Sequence, residues 1–102
     1  MTFEELLKLC KENKMVVCKL GASWCGPCRA LAPIYDEVKE ENSDVAMFEV
    51  DIDDSQEIVE EYGIVSVPTI LFFLNGEPFD MKVGLCKKTD IEGVLENMRL
   101  TE

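Results

Sequence analysis

The run Ala22-Ser23-Trp24-Cys25-Gly26-Pro27-Cys28-Arg29 places two cysteines three positions apart around a Gly-Pro pair. Cysteines at that spacing can clamp a metal, staple a loop or exchange electrons as a dithiol. Two thiols are half of a tetrahedral zinc site. The chain has no histidine, so Cys10, Cys18 and Cys86 would have to supply the remaining ligands. Cys10 and Cys18 read instead as small core residues on a helix and a strand. A purely structural bridge would close so short a loop that it would stabilise little. Redox exchange fits the context better, because the pair falls between a strand pattern and the helix pattern that follows it. A helix N-terminus carries unsatisfied N–H groups and a partial positive charge. It therefore favours a thiolate, the attacking species in disulfide exchange. Residues three apart on a helix share one face, so the two sulfurs can close and reopen with little motion. Gly26 relaxes the turn, and Pro27 is tolerated in a first helical turn, where its missing N–H costs little. On this reading Cys25, nearer the tip and more exposed, is the nucleophile that forms a mixed disulfide. Cys28, one turn deeper, resolves it.

The elements that must hold this pair are legible from capping and periodicity. Thr2-x-x-Glu5 is a capping box, and Phe3, Leu6, Leu7 and Cys10 fall on one helical face, predicting a helix to about residue 13. The short apolar run at 15–20, MVVCKL, predicts a strand. Leu31, Ile34, Tyr35 and Val38 predict a helix over 28–41, with Pro33 inside it as a structural kink. A second strand is expected at 45–50. Ser55 could cap a short helix through Tyr62, with Gly63 at its left-handed end. A third strand is expected at 69–74. Asn75-Gly76 then signals a hairpin into a fourth strand at 78–83, where the initial proline suits an edge. Thr89-x-x-Glu92 reads as a capping box for a last helix carrying Ile91, Val94, Leu95 and Met98. The order implies an α/β domain over 1–102, with a mixed four-stranded sheet flanked by helices on both faces.

Composition narrows the function classes. With 102 residues, 47% of them hydrophobic, the chain suits one small core. Its net charge of −11 argues against nucleic acid and anionic membranes as partners. The longest apolar stretch, 64–74, is interrupted by Ser66, Pro68 and Thr69, so no membrane span is expected. An odd number of cysteines excludes a fully paired framework within one chain. With no export signal in the sequence, a reducing, cytoplasmic setting is expected. The missing histidine also removes Cys-His and Ser-His nucleophile pairs.

These motifs together resemble the thioredoxin family over nearly the whole chain. The resemblance rests on WCGPC, on Pro33, on EVDIDD at 49–54, on Val67-Pro68-Thr69, on the NGE at 75–77 and on Gly84. It implies a cis Pro68 facing the cysteines, with the backbone of Val67 pairing to the substrate chain. Trp24 would shape the rim, and Gly84 would leave room for substrate. It implies a thiol–disulfide oxidoreductase that reduces protein disulfides, with no bound cofactor or metal and Cys25–Cys28 as the redox-active disulfide. No flavin or nicotinamide motif is present, so electrons must come from outside, the implied partner being a thioredoxin-reductase-type flavoprotein. The alternative is a binding module or subunit that docks partners through the Pro68 groove, with redox activity incidental.

The chain departs from the family pattern in two places. The family's N-terminal strand is missing, which should leave 45–50 as a sheet edge. A monomer is expected, with an edge-strand dimer as the alternative. Most relatives also carry a buried acid six residues before the first active-site cysteine, and here that position is Lys19. Glu49 interrupts the second strand. If the two strands are parallel neighbours, Glu49 could inherit the acid–base role while Lys19 lowers the pKa of the deeper thiol. Cys86, beside Lys87 and Lys88, reads as an inert loop thiol, with regulatory oxidation of a thiol whose pKa those cations lower as the alternative.

Overall fold

The computed structural model describes residues 1–101. Helix α1 spans Phe3–Glu12, strand β1 Met15–Gly21, helix α2 Gly26–Glu41 and strand β2 Ala46–Asp51. A 3-10 turn at Ile52–Asp54 leads into helix α3, Gln56–Glu61. Strand β3 (Thr69–Leu74), strand β4 (Glu77–Val83) and helix α4 (Lys88–Leu100) complete the order. The sheet order is β2-β1-β3-β4. β1 runs parallel to β2 and antiparallel to β3, and β4 closes an antiparallel hairpin on β3. Both sequence-predicted edges are edges: β2 on one side, and β4 with its Pro78 on the other.

Central strands covered on both faces should be apolar throughout, and β1 and β3 are. Successive residues of β1 serve opposite cores. Val17 meets Tyr35 and Leu31 of α2 and Leu95 of α4, while Val16 and Cys18 meet Leu6 of α1 and Ile58 of α3. Fully burying a side chain the size of Phe72 or Ile70 stabilises by about 1.5–3 kcal/mol, so these layers set the position of everything above them. Asn75 and Gly76 turn the hairpin with φ of 52° and 83°, a pair of positive angles that this dipeptide accepts without strain.

Two local expectations are corrected, and one short element is added. The last helix begins at Lys88, and the Asp90 carboxylate, not the Thr89–Glu92 pair, accepts from the Lys87 N–H at 2.9 Å. Asp90 sits one turn into the helix, where a carboxylate reaches back to the orphan donor. Thr89 lies inside the helix. Ser55 stands at the start of α3 without capping it. Its hydroxyl accepts from the Met1 ammonium at 3.1 Å instead. The 3-10 turn has no counterpart in the periodicity, because it is made by the Asp51 side chain accepting from the Asp53 N–H at 2.8 Å.

Candidate active site

β1 ends at Gly21 and α2 starts five residues later, so Cys25 closes the connecting turn and Cys28 lies in the first turn of the helix, both at the end of the sheet. Cys25 is the N-cap of α2, and its Sγ accepts from the Cys28 N–H at 3.2 Å. Gly26 and Pro27 are the first two helical residues, where the absent proline N–H leaves nothing unsatisfied. Gly26 has no positive φ, and a Cβ built there would meet nothing within 4 Å. The turn therefore does not require it in this conformation. Cys25 and Cys28 are joined as a disulfide, with Cα atoms 5.3 Å apart.

The expectation that Cys25 is the more exposed sulfur is corrected. Cys25 is 5% exposed and Cys28 8%. The cause is the loop above them: Val67 and Ile52 pack on Ala22 and the two cysteines, and the Val67 carbonyl oxygen lies 3.7 Å from Cys25 Sγ. The Val67–Pro68 bond is cis. Two hydrogen bonds brace this loop. The Thr69 hydroxyl donates to the Ser66 carbonyl at 2.7 Å, and the Gly84 N–H donates to the Pro68 carbonyl at 2.8 Å. Gly84 has φ of 88°, so its glycine is required by the backbone, and a Cβ there would meet nothing.

Beside the sulfurs, Trp24 is 65% exposed and forms one wall of an apolar groove of about 340 Å³. Val67 and Ile52 form the wall nearer the disulfide, with Val65 and Ile64 beyond them. On the other side of α2 lies an open cavity of about 310 Å³. Lys19 and Gly21 of β1, Cys28 and Arg29 of α2, and Glu49 and Asp51 of β2 line it. Lys19 and Glu49 are register partners across the parallel pair. Their side chains do not join: Lys19 is buried, whereas Glu49 reaches Lys39 at 3.7 Å near the surface.

Sequence reasoning missed three residues near the site. A Cβ on Gly21 would stand 3.4 Å from Cys28 Sγ, an ordinary contact, so this residue lies directly against the deeper sulfur. Its signal was a glycine closing an apolar strand immediately before the motif. Thr69 follows Pro68 directly and could have been read as a hydroxyl able to brace the turn. Tyr35, counted only as helix face, sends its hydroxyl to the Phe48 carbonyl at 2.8 Å, with the Val17 carbonyl 3.2 Å away.

The remaining thiols sit elsewhere. Burial pushes Cys18 up to about 12 and raises Cys10 as well. Cys86 is half-buried and also raised, by burial first and then by Asp90. The expected help from Lys88 is absent because its ammonium is held by Glu37 and Glu41, each at 2.8 Å. Among the described residues no group of three or more His, Cys, Asp or Glu side chains could hold a metal ion. No described helix is long and apolar enough to cross a membrane.

A pair of sulfurs that closes at the tip of a helix, under a loop and beside an apolar groove, defines a thiol–disulfide oxidoreductase built on a mixed α/β sheet. The thioredoxin family model matches residues 1–97. The chain is 40% identical over 92 residues to a thioredoxin of Mycoplasmoides gallisepticum, spanning 90% of this chain and 92% of that one. Against a thioredoxin of Echinococcus granulosus it is 41% identical over 74 residues, 72% of this chain and 69% of that one. Among solved structures, mitochondrial thioredoxin 3 from Saccharomyces cerevisiae in its oxidised form superposes with a TM-score of 0.88 at 26% identity. That match covers 94% of this chain and 90% of that one. Fasciola hepatica thioredoxin superposes with 0.86 at 32% identity, over 93% of each chain. The chain belongs to the thioredoxin family, and it is a dithiol–disulfide oxidoreductase.

Proposed function

We propose that this protein is a general reductant of protein disulfides, acting in the cytoplasm as a monomer and as one domain over 1–102. The observation that carries the reading is Cys25 at the cap of α2, its sulfur already accepting the Cys28 N–H at 3.2 Å. In the reduced protein that amide and the helix terminus stabilise a Cys25 thiolate. The thiolate attacks one sulfur of a substrate disulfide, and the other leaves as a thiolate that takes up a proton. The Cys28 thiol then loses its proton and attacks Cys25 Sγ. The Cys25–substrate bond breaks, the substrate is fully reduced, and the Cys25–Cys28 disulfide carries the two-electron oxidation. A Gly-Pro centre in this family goes with the reducing direction.

Substrate lies in the groove between Trp24 and Val67, its extended chain pairing with the Val67 backbone and passing over Pro68 and Gly84. Gly26 and Pro27 set the helix start that tunes Cys25. Lys19 and Glu49, on the wall of the cavity that also holds Cys28, set the ionisation of the deeper thiol, with Glu49 accepting its proton. Electrons return from a thioredoxin-reductase-type flavoprotein, which places the protein in an electron-transport chain serving redox homeostasis. The dithiol itself is the redox group, and no bound cofactor is needed.

Insulin reduction with dithiothreitol as electron donor tests this directly. The wild type should accelerate precipitation of the reduced chains, and Cys25→Ser should leave only the background rate. Catalysis that survives Cys25→Ser would overturn the reading in favour of docking without redox chemistry.

A further inference from the structure

One charged group beside the dithiol is buried, and its surroundings are unusual. Lys19 stands on the central strand with only 7% exposure. A buried ammonium ordinarily finds a carboxylate. Among the described residues Lys19 makes no ion pair, and its register partner Glu49 turns to Lys39. What it meets is an aromatic ring: its Nζ lies 4.9 Å from the centroid of Tyr35. A cation within about 6 Å of a ring centroid is attracted to its face, more strongly where water is excluded.

Tyr35 is itself immobilised. It is fully buried, and its hydroxyl donates to the Phe48 carbonyl of β2 at 2.8 Å while lying 3.2 Å from the Val17 carbonyl of β1. The ring thus stands across the β1–β2 seam and presents a fixed face to the ammonium. Four turns of α2 carry both Tyr35 and Cys28, so the helix that positions the ring also positions the sulfur. Lys19 and Cys28 line the same cavity of about 310 Å³.

We propose that Tyr35 and Lys19 form a positioning pair that fixes a cation beside Cys28 and stabilises its thiolate during the resolving step. The inference rests on the oxidoreductase reading above. Lys19 neither gives nor takes a proton. The Cys28 thiol loses its proton to cavity water and onward to Glu49, and the Cys28 thiolate attacks Cys25 Sγ. The Cys25–Cys28 bond forms as the Cys25–substrate bond breaks. The electron pair leaves on the substrate sulfur, which is protonated from water. The other charged groups on the cavity are Arg29 from α2, which adds to the cation, and Glu49 and Asp51 from β2, which oppose it. From β3 the facing residue is apolar Ile70, and Cys18 and Asp36 bear on Tyr35.

The test separates the two chemical steps with a fluorescent peptide disulfide as probe. Adduct formation is measured in the Cys28→Ser background, and peptide release in single turnover with Cys28 present, both over pH 6–9. With Lys19→Met, adduct formation should stay within about twofold. Release at pH 7 should fall about tenfold, and its midpoint should rise by about one pH unit. Lys19→Arg, which keeps both the charge and the ring contact, should restore release to within about threefold. Lys11→Met removes the same charge outside the cavity and should leave release as in the wild type. Tyr35→Leu should slow release in the same direction, and adding it to Lys19→Met should cost no further loss. If that leucine variant does not fold, the lysine series alone decides. The proposal is overturned if the Lys19→Met release profile overlays the wild type, or if Lys19→Arg is as slow as Lys19→Met. A Cys28→Ser protein that forms no adduct at all would instead sink the oxidoreductase reading itself.

Discussion

The dithiol at the tip of α2 and the thiols packed between α1 and β1 share a side chain and differ in nearly everything around it. Cys25 Sγ faces a helix N-terminus and accepts an amide hydrogen at 3.2 Å. Cys18 faces apolar neighbours on α1 and α3, and burial pushes its thiol up to about 12. Burial by itself does not separate them, since Cys25 at 5% exposure is nearly as covered as Cys18 at 0%. Apolar side chains cover both, Val67 and Ile52 in one place and Leu6 and Ile58 in the other, and the difference is the backbone N–H that meets Cys25 at a helix end. The proposed reactivity of Cys25 follows from the helix end more than from accessibility.

The widest gap should appear when each group loses a sulfur. Cys28→Ser should cut insulin-reducing turnover by at least about a thousandfold, because the mixed disulfide has no internal partner to resolve it. Cys18→Ala should leave the turnover of the folded protein within about twofold. Comparable losses at the two sites would erase the distinction.

A second contrast lies in stability against pH. The folded value of Cys18 is raised from the ordinary 9.0 to about 12. The stability linked to its neutral thiol is therefore whole below pH 9 and is lost as pH climbs towards 12. Tyr35 is raised above its ordinary 10.0 by burial as well and contributes in the same direction. Urea midpoints measured from pH 7 upward should fall less steeply for Cys18→Ala than for the wild type. Equal slopes would mean that Cys18 is not held neutral.

The smallest expected effect sharpens the reactive side. Gly21→Ala adds a Cβ 3.4 Å from Cys28 Sγ, an ordinary contact that the site can absorb. It should cost under about 1 kcal/mol of stability. Peptide release should slow by about twofold with adduct formation untouched. A larger effect on adduct formation than on release would place Gly21 against the wrong sulfur.

Much of this arrangement was written in local pattern. The strands at 15–20 and 69–74, the Asn75-Gly76 hairpin and the cysteine-bearing turn follow from periodicity and turn chemistry, and the observed bounds agree to within one or two residues. The edge position of β2 and the cis bond at Pro68 came from the family resemblance. What stayed hidden depends on residues far apart in the chain. Tyr35 under Lys19 joins a helix to a strand sixteen positions earlier. Val67 and Ile52 close over Cys25 from two loops, and nothing local to WCGPC announces them. Glu49 shows the limit of register as a guide: it pairs with Lys19 along the backbone, and its carboxylate goes to Lys39 instead.

The most direct measurement is the rate of iodoacetamide alkylation of the fully reduced protein against pH, with each cysteine followed by peptide mass mapping. Cys25 should react with a midpoint at least about one unit below the ordinary thiol range, while Cys18 stays unmodified until the protein unfolds. A Cys25 midpoint at or above the ordinary value, or Cys18 reacting as fast as Cys25, would contradict a thiolate held by the end of α2.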